Sequence, residues 1–169
     1  MHHVHDLANK ETQAELKCPL PKVPEVFFKP AQCLHDPSSP VTIPPSAAGA
    51  IDCEVELAII IGKDCKNVDM PSALSYVLGY TAANDLTARD IQARTSQWSY
   101  SKGYDGFCPL GPVLVRADWE GIHVEALTMR TILDGVVLQD GNSSEMIFSI
   151  AEIVSYLSKV SAVSTKRSK

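Results

Sequence analysis

No long hydrophobic run exists anywhere in this chain. Its longest uninterrupted aliphatic stretch, Leu57 to Ile61, falls far short of the roughly 20 apolar residues a bilayer-crossing helix needs. The opening Met1-His2-His3-Val4-His5-Asp6 has neither the apolar centre of a secretory signal nor the Arg-rich amphipathic pattern of an organelle presequence. These absences predict a cytoplasmic protein with no membrane partner. Cysteine is sparse and unpatterned. The five, at positions 18, 33, 53, 65 and 108, make an odd count with no Cys-x-x-Cys, and none has a histidine at ligand spacing. A disulfide framework and a thiolate metal site are both disfavoured, and a reducing compartment fits. Cys53 and Cys108 sit in apolar contexts and read as small buried hydrophobes. A basic excess is also missing: 15 Lys and Arg stand against 20 Asp and Glu, for a net charge of −5. The one basic cluster, Lys166-Arg167-Ser168-Lys169, reads as a frayed end, so no nucleic-acid partner is expected.

What the chain does contain is enough apolar residue for one domain with a true core: 169 residues, 45% hydrophobic and 21% charged. Eight prolines fall between positions 18 and 45, which forbids helix there and favours extended or turning backbone. Val26-Phe27-Phe28 among them is predicted to be a short edge strand. Gly62-Lys63-Asp64 reads as a turn. Asp69 is placed to cap a helix with Pro71 in its first turn, running through Leu78 and stopped by Gly79. Tyr80-Thr81-Ala82-Ala83 reads as a strand ending at Asn84-Asp85, and Pro112-Val113-Leu114-Val115 as another. Thr128 to Gln139 predicts a hairpin turning on Asp134-Gly135, with Asp140-Gly141-Asn142 as a second turn. Ser149 and Glu152 form a capping box for a helix through Leu157, whose apolar face is Ile150, Ile153, Val154 and Leu157. The expected class is a strand-rich α+β domain.

The stretch Asp52-Cys53-Glu54-Val55-Glu56 followed by Leu57-Ala58-Ile59-Ile60-Ile61 carries the chemical signal. Strand alternation puts Glu54 and Glu56 on one face. Two carboxylates that close must be well solvated, share a proton, or be neutralised by a cation. Carboxylate oxygens suit a hard ion: Mg²⁺, Mn²⁺ or Ca²⁺. Asp85, at the end of its predicted strand, is a third carboxylate able to close such a site. The plainer alternatives are an ordinary strand with one wet acidic face and an Asn-Asp turn.

Four segments in order give these residues a context. Glu54-Val-Glu56-Leu-Ala is followed in order by Gly79-Tyr-Thr-Ala-Ala-Asn84-Asp85-Leu-Thr-Ala-Arg89-Asp90. Next come Gln97-Trp98 through Lys102 to Phe107-Cys-Pro109-Leu-Gly-Pro112, and then Gln139-Asp-Gly-Asn through Met146-Ile-Phe148-Ser to Tyr156-Leu-Ser. Over roughly residues 19–158 the chain resembles the fumarylacetoacetate hydrolase family, in its catalytic-domain type that includes acylpyruvate hydrolases and oxaloacetate tautomerases. The resemblance implies a mixed β-sandwich or roll with few short helices, a homodimer, and a divalent metal, usually Mg²⁺, held by Glu54, Glu56 and Asp85. It implies a small dicarbonyl acid as substrate. Lys102 matches the family's active-site lysine, and Arg89 and Gln92 match substrate contacts, although Arg89 is equally able to pair with Asp90 or another acid. Trp98 and Phe107 read as packing residues. A Lewis acid gripping a 2-oxo acid stabilises the enolate left when a C–C bond is hydrolysed. The same property serves tautomerisation or decarboxylation, so an oxaloacetate tautomerase or decarboxylase is the alternative.

Two departures qualify the resemblance. Near its start the family carries a lid of the type Asn-Tyr-x-x-His-x-x-Glu, whose His and Glu activate water. Here the comparable stretch, His5-Asp6-Leu7-Ala8-Asn9-Lys10-Glu11-Thr12, puts Leu7 at the His position and leaves Glu11 as the candidate acid. After Tyr156-Leu-Ser-Lys159 the family runs on to a Thr-Gly-Thr-Pro-type loop, where this chain has a polar sequence. The expected organisation is a partial lid over residues 1–17, a catalytic domain over 18–159 shortened at both ends, and a tail over 160–169. A metal-binding remnant without turnover is therefore a third reading.

Overall fold

The computed structural model describes residues 2–4 and 20–160. Glu11, His5, Leu7 and the 161–169 tail, on which several expectations rest, lie outside the described residues. The elements are, in chain order, β1 (His2–Val4), β2 (Val26–Phe28), β3 (Leu34–His35), β4 (Ile51–Asp52), β5 (Val55–Ile61), β6 (Val77–Asn84) and β7 (Thr87–Ala88). There follow α1 (Arg89–Gln92), α2 (Ser99–Lys102), β8 (Cys108–Pro109), β9 (Val115–Arg116), β10 (Thr128–Leu133), β11 (Val136–Asn142) and α3 (Ile150–Val160). This is the strand-rich α+β class expected, with few short helices.

The organising unit is the antiparallel sheet β5-β6-β9. Its register sets Val55 opposite Asn84 and Glu56 opposite Ala83, so the residue before β5, Glu54, meets the residue after β6, Asp85. The Asp85 amide donates to the Glu54 carbonyl at 2.8 Å, and the Glu54 amide donates to the Asn84 side-chain oxygen at 3.2 Å. Past this break the two chains pair again as β4 and β7, with Asp52 opposite Thr87 and Ile51 opposite Ala88. One interrupted ladder thus carries three carboxylates, Asp52, Glu54 and Glu56, on one strand and a carboxylate and a hydroxyl, Asp85 and Thr87, on the other. β2 pairs antiparallel with β1, β3 parallel with β8, and β10 antiparallel with β11.

Three buried clusters support this ladder. The largest packs Ile150 and Val154 of α3 against Cys65, Val68, Ala73 and Tyr80. A second gathers Ala47, Leu86, Ala88 and Ile91 around Phe107. The third joins Ala58 of β5 and Ala83 of β6 to Cys33 and Cys108. Cys108 is fully buried as expected, while Cys53 is only half-buried.

Several local expectations hold. Asp134 and Gly135 both have positive φ, 51° and 80°, as the primed hairpin turn requires. The Ser149–Glu152 capping box is closed in both directions: the Ser149 amide donates to Glu152 at 2.7 Å and the Glu152 amide to the Ser149 hydroxyl at 3.3 Å. Hydrogen bonds from the Ser149 hydroxyl and amide hold the Glu152 carboxyl below its ordinary value.

Others are corrected. Residues Met70–Tyr76 form a 3-10 helix, Asp69 makes no side-chain cap, and Val77 and Leu78 already belong to β6. Gly79 is not a helix stop. It pairs with Arg116 of β9, and a Cβ there would strike the Val115 carbonyl oxygen. Glycine is needed for close approach of two backbones, a role that mimics a C-terminal cap in sequence. Pro112 to Leu114 are outside any strand, because proline offers no ladder donor and only Val115–Arg116 reach β6. Asp140-Gly141-Asn142 is not a turn but the end of β11, facing Arg130, Met129 and Thr128. Asn142 then caps the 3-10 helix Ser143–Glu145 by accepting from the Ser144 amide at 3.0 Å.

Candidate metal and substrate site

The β5–β6 register brings Glu54, Glu56 and Asp85 together. Each offers a carboxylate oxygen, and the three oxygens lie within 4.8 Å of one another. Glu54 and Asp85 are buried and Glu56 is half-buried. Three acids that close in a desolvated setting require positive charge, and the structure supplies three cations.

Lys102, predicted from its motif and fully buried, ends the one-turn helix α2. Its ammonium donates to Glu54 Oε2 at 2.9 Å, Asp85 Oδ2 at 2.8 Å and the Thr87 hydroxyl at 2.7 Å. An ammonium has three N–H groups, so these bonds engage all of them. The Thr87 hydroxyl passes its own proton to the Asp85 carbonyl at 3.1 Å, which fixes it as an acceptor toward Lys102. Phe27 presents its ring face to the same ammonium, 5.2 Å from the centroid.

Arg89 begins α1 and reaches back across the ladder. Its Nε and Nη2 donate to Asp52 Oδ2 at 2.9 and 2.7 Å, and Nη2 lies 2.6 Å from Glu54 Oε1. Nη1 donates to Gln92 Oε1 at 2.9 Å. Arg89 therefore pairs with Asp52 and Glu54, whereas Asp90 pairs with Arg94 at 3.0 Å. Burial acts to lower the Arg89 pKa, but the Asp52 hydrogen bond and the Glu54 and Asp52 charges outweigh it and hold it above the ordinary value. Gln92 thus stands beside Arg89 at the same edge of the triad.

Sequence reasoning passed over three participants. Lys29, just after β2, is 4% exposed and sets its ammonium 2.5 Å from Asp85 Oδ1 while also donating to the Lys102 carbonyl. A lysine between Phe28 and a proline reads as the polar edge of a loop. Its signal was its immediate contact with an apolar run. Asp52 lies two residues before Glu54 and continues the period-2 pattern that identified the glutamates. Thr87 follows Asp85 by two, the same spacing on the facing strand. Trp98 packs edge-on against Phe27, ring centroids 6.0 Å apart, and Phe107 is fully buried. Both are packing residues as expected.

The donor set fits a hard divalent cation. All three candidate ligands are carboxylate oxygens, the type Mg²⁺ and Mn²⁺ prefer. Counted formally among the described residues, Asp52, Glu54, Glu56 and Asp85 face Lys29, Arg89 and Lys102, which leaves one negative charge in excess. A divalent ion would turn that excess positive, the sign that attracts an anionic acid. Burial pushes the neighbouring Cys33 thiol up, against the opposing pull of Lys29, and keeps it protonated.

Residues 2–165 match the family described as fumarylacetoacetate (FAA) hydrolase C-terminal. The chain is 40% identical over 146 residues to a 2,4-didehydro-3-deoxy-L-rhamnonate hydrolase from Sphingomonas sp., covering 86% of this chain and 50% of that one. It is 40% identical over 160 residues to the fumarylacetoacetate hydrolase domain-containing protein 2 homolog of Dictyostelium discoideum, covering 89% and 52%. Among solved structures, the 5-carboxymethyl-2-hydroxymuconate delta-isomerase of Mycobacterium smegmatis superposes with a TM-score of 0.80 at 35% identity, covering 90% of this chain and 59% of that one. The chain spans about half to two thirds of the length of the curated relatives it matches. A match over nearly the whole chain, together with a ladder that gathers the motif carboxylates and Lys102 at one point, settles the descent: the chain belongs to the fumarylacetoacetate hydrolase family.

Proposed function

We propose that this chain carries the metal-holding site of an enzyme that hydrolyses a C–C bond in a small dicarbonyl acid of the acylpyruvate kind. The observation that carries the reading is the meeting of Glu54, Glu56 and Asp85 oxygens within 4.8 Å against the buried ammonium of Lys102. Glu54, Glu56 and Asp85 would hold a divalent cation, Mg²⁺ or Mn²⁺, which when bound supplies Lewis-acid polarisation to the adjacent oxygens of a 2-oxo acid. Lys102 and Arg89 adjoin the triad, and each is suited to stabilise negative charge that develops on a substrate held there. Arg89 is about one-third exposed, so its guanidinium can meet a substrate carboxylate without being dug out of the core, and Gln92 orients it. Lys102 can donate to a substrate only by exchanging one of its three bonds, which ties its availability to the charge on Glu54 and Asp85. Glu11 is proposed as the acid beside the attacking water, a homodimer as the assembly and the cytoplasm as the location. The first two rest on the family resemblance.

A second reading, isomerisation or tautomerisation without hydrolysis, is favoured by the likeness to the Mycobacterium smegmatis delta-isomerase. It would use the triad and Lys102 in the same way and needs no activated water. Ultraviolet assays separate the two. With Mg²⁺ present, acylpyruvate absorbance should fall as free acid and pyruvate appear, and chelation by EDTA should stop the reaction. Decay of the oxaloacetate enol without acylpyruvate cleavage would select the second reading. No turnover of either by folded, Mg²⁺-loaded chain would leave metal binding alone. A full rate in EDTA would contradict the metal reading altogether.

A further inference from the structure

We infer that Lys29 is a positioning residue for the site: it fixes Asp85 as a ligand and sets the direction of Lys102. The inference rests on the metal reading above and extends it to a residue outside the motifs.

Asp85 is fully buried and each of its two oxygens is claimed by a different ammonium, Oδ1 by Lys29 and Oδ2 by Lys102. The carboxylate plane is thereby clamped from both sides, and rotation about its terminal torsion would break one contact or the other. The same Lys29 ammonium also donates to the carbonyl of Lys102. It therefore ties the loop after β2 both to the strand end that bears Asp85 and to the helix that bears Lys102.

That second tie matters because α2 is four residues long. A single turn has no stability of its own, so external contacts must decide where Lys102 points. Several of them come from the segment around Lys29. The Phe28 amide donates to the Ser99 hydroxyl at 3.2 Å, Phe27 packs against Trp98, and the Cys33 thiol lies 3.8 Å from the Lys102 carbonyl. Among the described residues, Lys29 is the polar side chain of this segment whose bonds reach both Asp85 and α2. Groups that orient metal ligands without touching the metal commonly matter 10- to 100-fold in affinity.

The test uses the full 169-residue chain, Mn²⁺ as probe and electron paramagnetic resonance as readout, with wild type, Lys29→Met and Lys29→Gln compared. Lys29→Met keeps the aliphatic stem but has no donor. Lys29→Gln keeps one N–H donor. Wild type should bind Mn²⁺. Lys29→Met should bind it about 10- to 100-fold more weakly with an altered bound-ion spectrum, and Lys29→Gln should recover part of both. Circular dichroism identifies the folded variants, and if Lys29→Met does not fold, Lys29→Gln decides by the same criteria. A folded variant with wild-type affinity and spectrum overturns the positioning role alone. Wild type that takes up no Mn²⁺ overturns the metal reading and this inference with it.

Discussion

Replacing Lys102 with methionine is expected to cost about 3–5 kcal/mol of folding stability, the usual consequence of removing one partner from a buried ion pair. Methionine retains most of the volume, so the loss is electrostatic. Glu54 Oε2, Asp85 Oδ2 and the Thr87 hydroxyl all lose the donor that now sits 2.7–2.9 Å away. Two carboxylates that are almost fully desolvated are left facing each other with less compensation. Urea unfolding measures the change. Adding Mg²⁺ should return part of it, because a cation held by the triad restores the missing charge, and 100-fold excess over Kd contributes about 2.7 kcal/mol. If Lys102 also stabilises developing charge on a substrate, kcat falls by about 100- to 1,000-fold in the same variant. Wild-type stability would show that the ammonium is not integral to the cluster. Wild-type kcat would remove Lys102 from the chemistry.

Phe107→Ala should be comparably damaging for a different reason. The ring is fully buried, lies 5.1 Å from the Tyr104 ring centroid and forms the centre of the cluster with Ala47, Leu86, Ala88 and Ile91. Truncating a buried phenylalanine leaves a cavity and costs about 3–5 kcal/mol, a fall in Tm on the order of 10 °C for a domain of this size. The site should feel it. The Phe107 carbonyl accepts from the Leu86 amide at 3.2 Å, and Leu86 follows Asp85. Calorimetry gives the stability change, and a titration with Mg²⁺ should show weaker binding. A loss under about 1 kcal/mol would mean that the pocket collapses around the truncation, and that Phe107 is not the support described.

The two expected losses separate what holds the site together from what gives it its charge. The charged part was the more legible in sequence. Glu54 and Glu56 announce themselves by strand alternation, and Asp85 by its place at a strand end. The pairing of β5 with β6 then needs only the correct register to join them. Lys102 was identifiable through its motif but not from its surroundings, since nothing local says that a lysine before Gly103 is fully buried. Lys29, Asp52 and Thr87 escaped because their importance is tertiary. Each acts through a partner 15 to 56 positions away in sequence, and no local pattern encodes that distance.

Two of the misread elements share one cause. Gly79 and Gly141 read as punctuation in the sequence, and both are strand residues. Gly79 is required by the approach of Val115, while Gly141 pairs with Met129 within the hairpin. Glycine marks either a turn or a close contact, and only the packed structure distinguishes them. Asp69 followed by Pro71 does begin a helical turn, but β-branched Val77 pairs with Ile61 and converts the rest to strand.

The central claim is that Glu54, Glu56 and Asp85 form a site for a hard divalent cation. Calorimetric titration of the chain with Mg²⁺, beside a folded Glu54→Ala, Glu56→Ala double variant, tests it most directly. The account predicts one ion bound per wild-type chain and none by the variant, and equal binding by the two chains would contradict it.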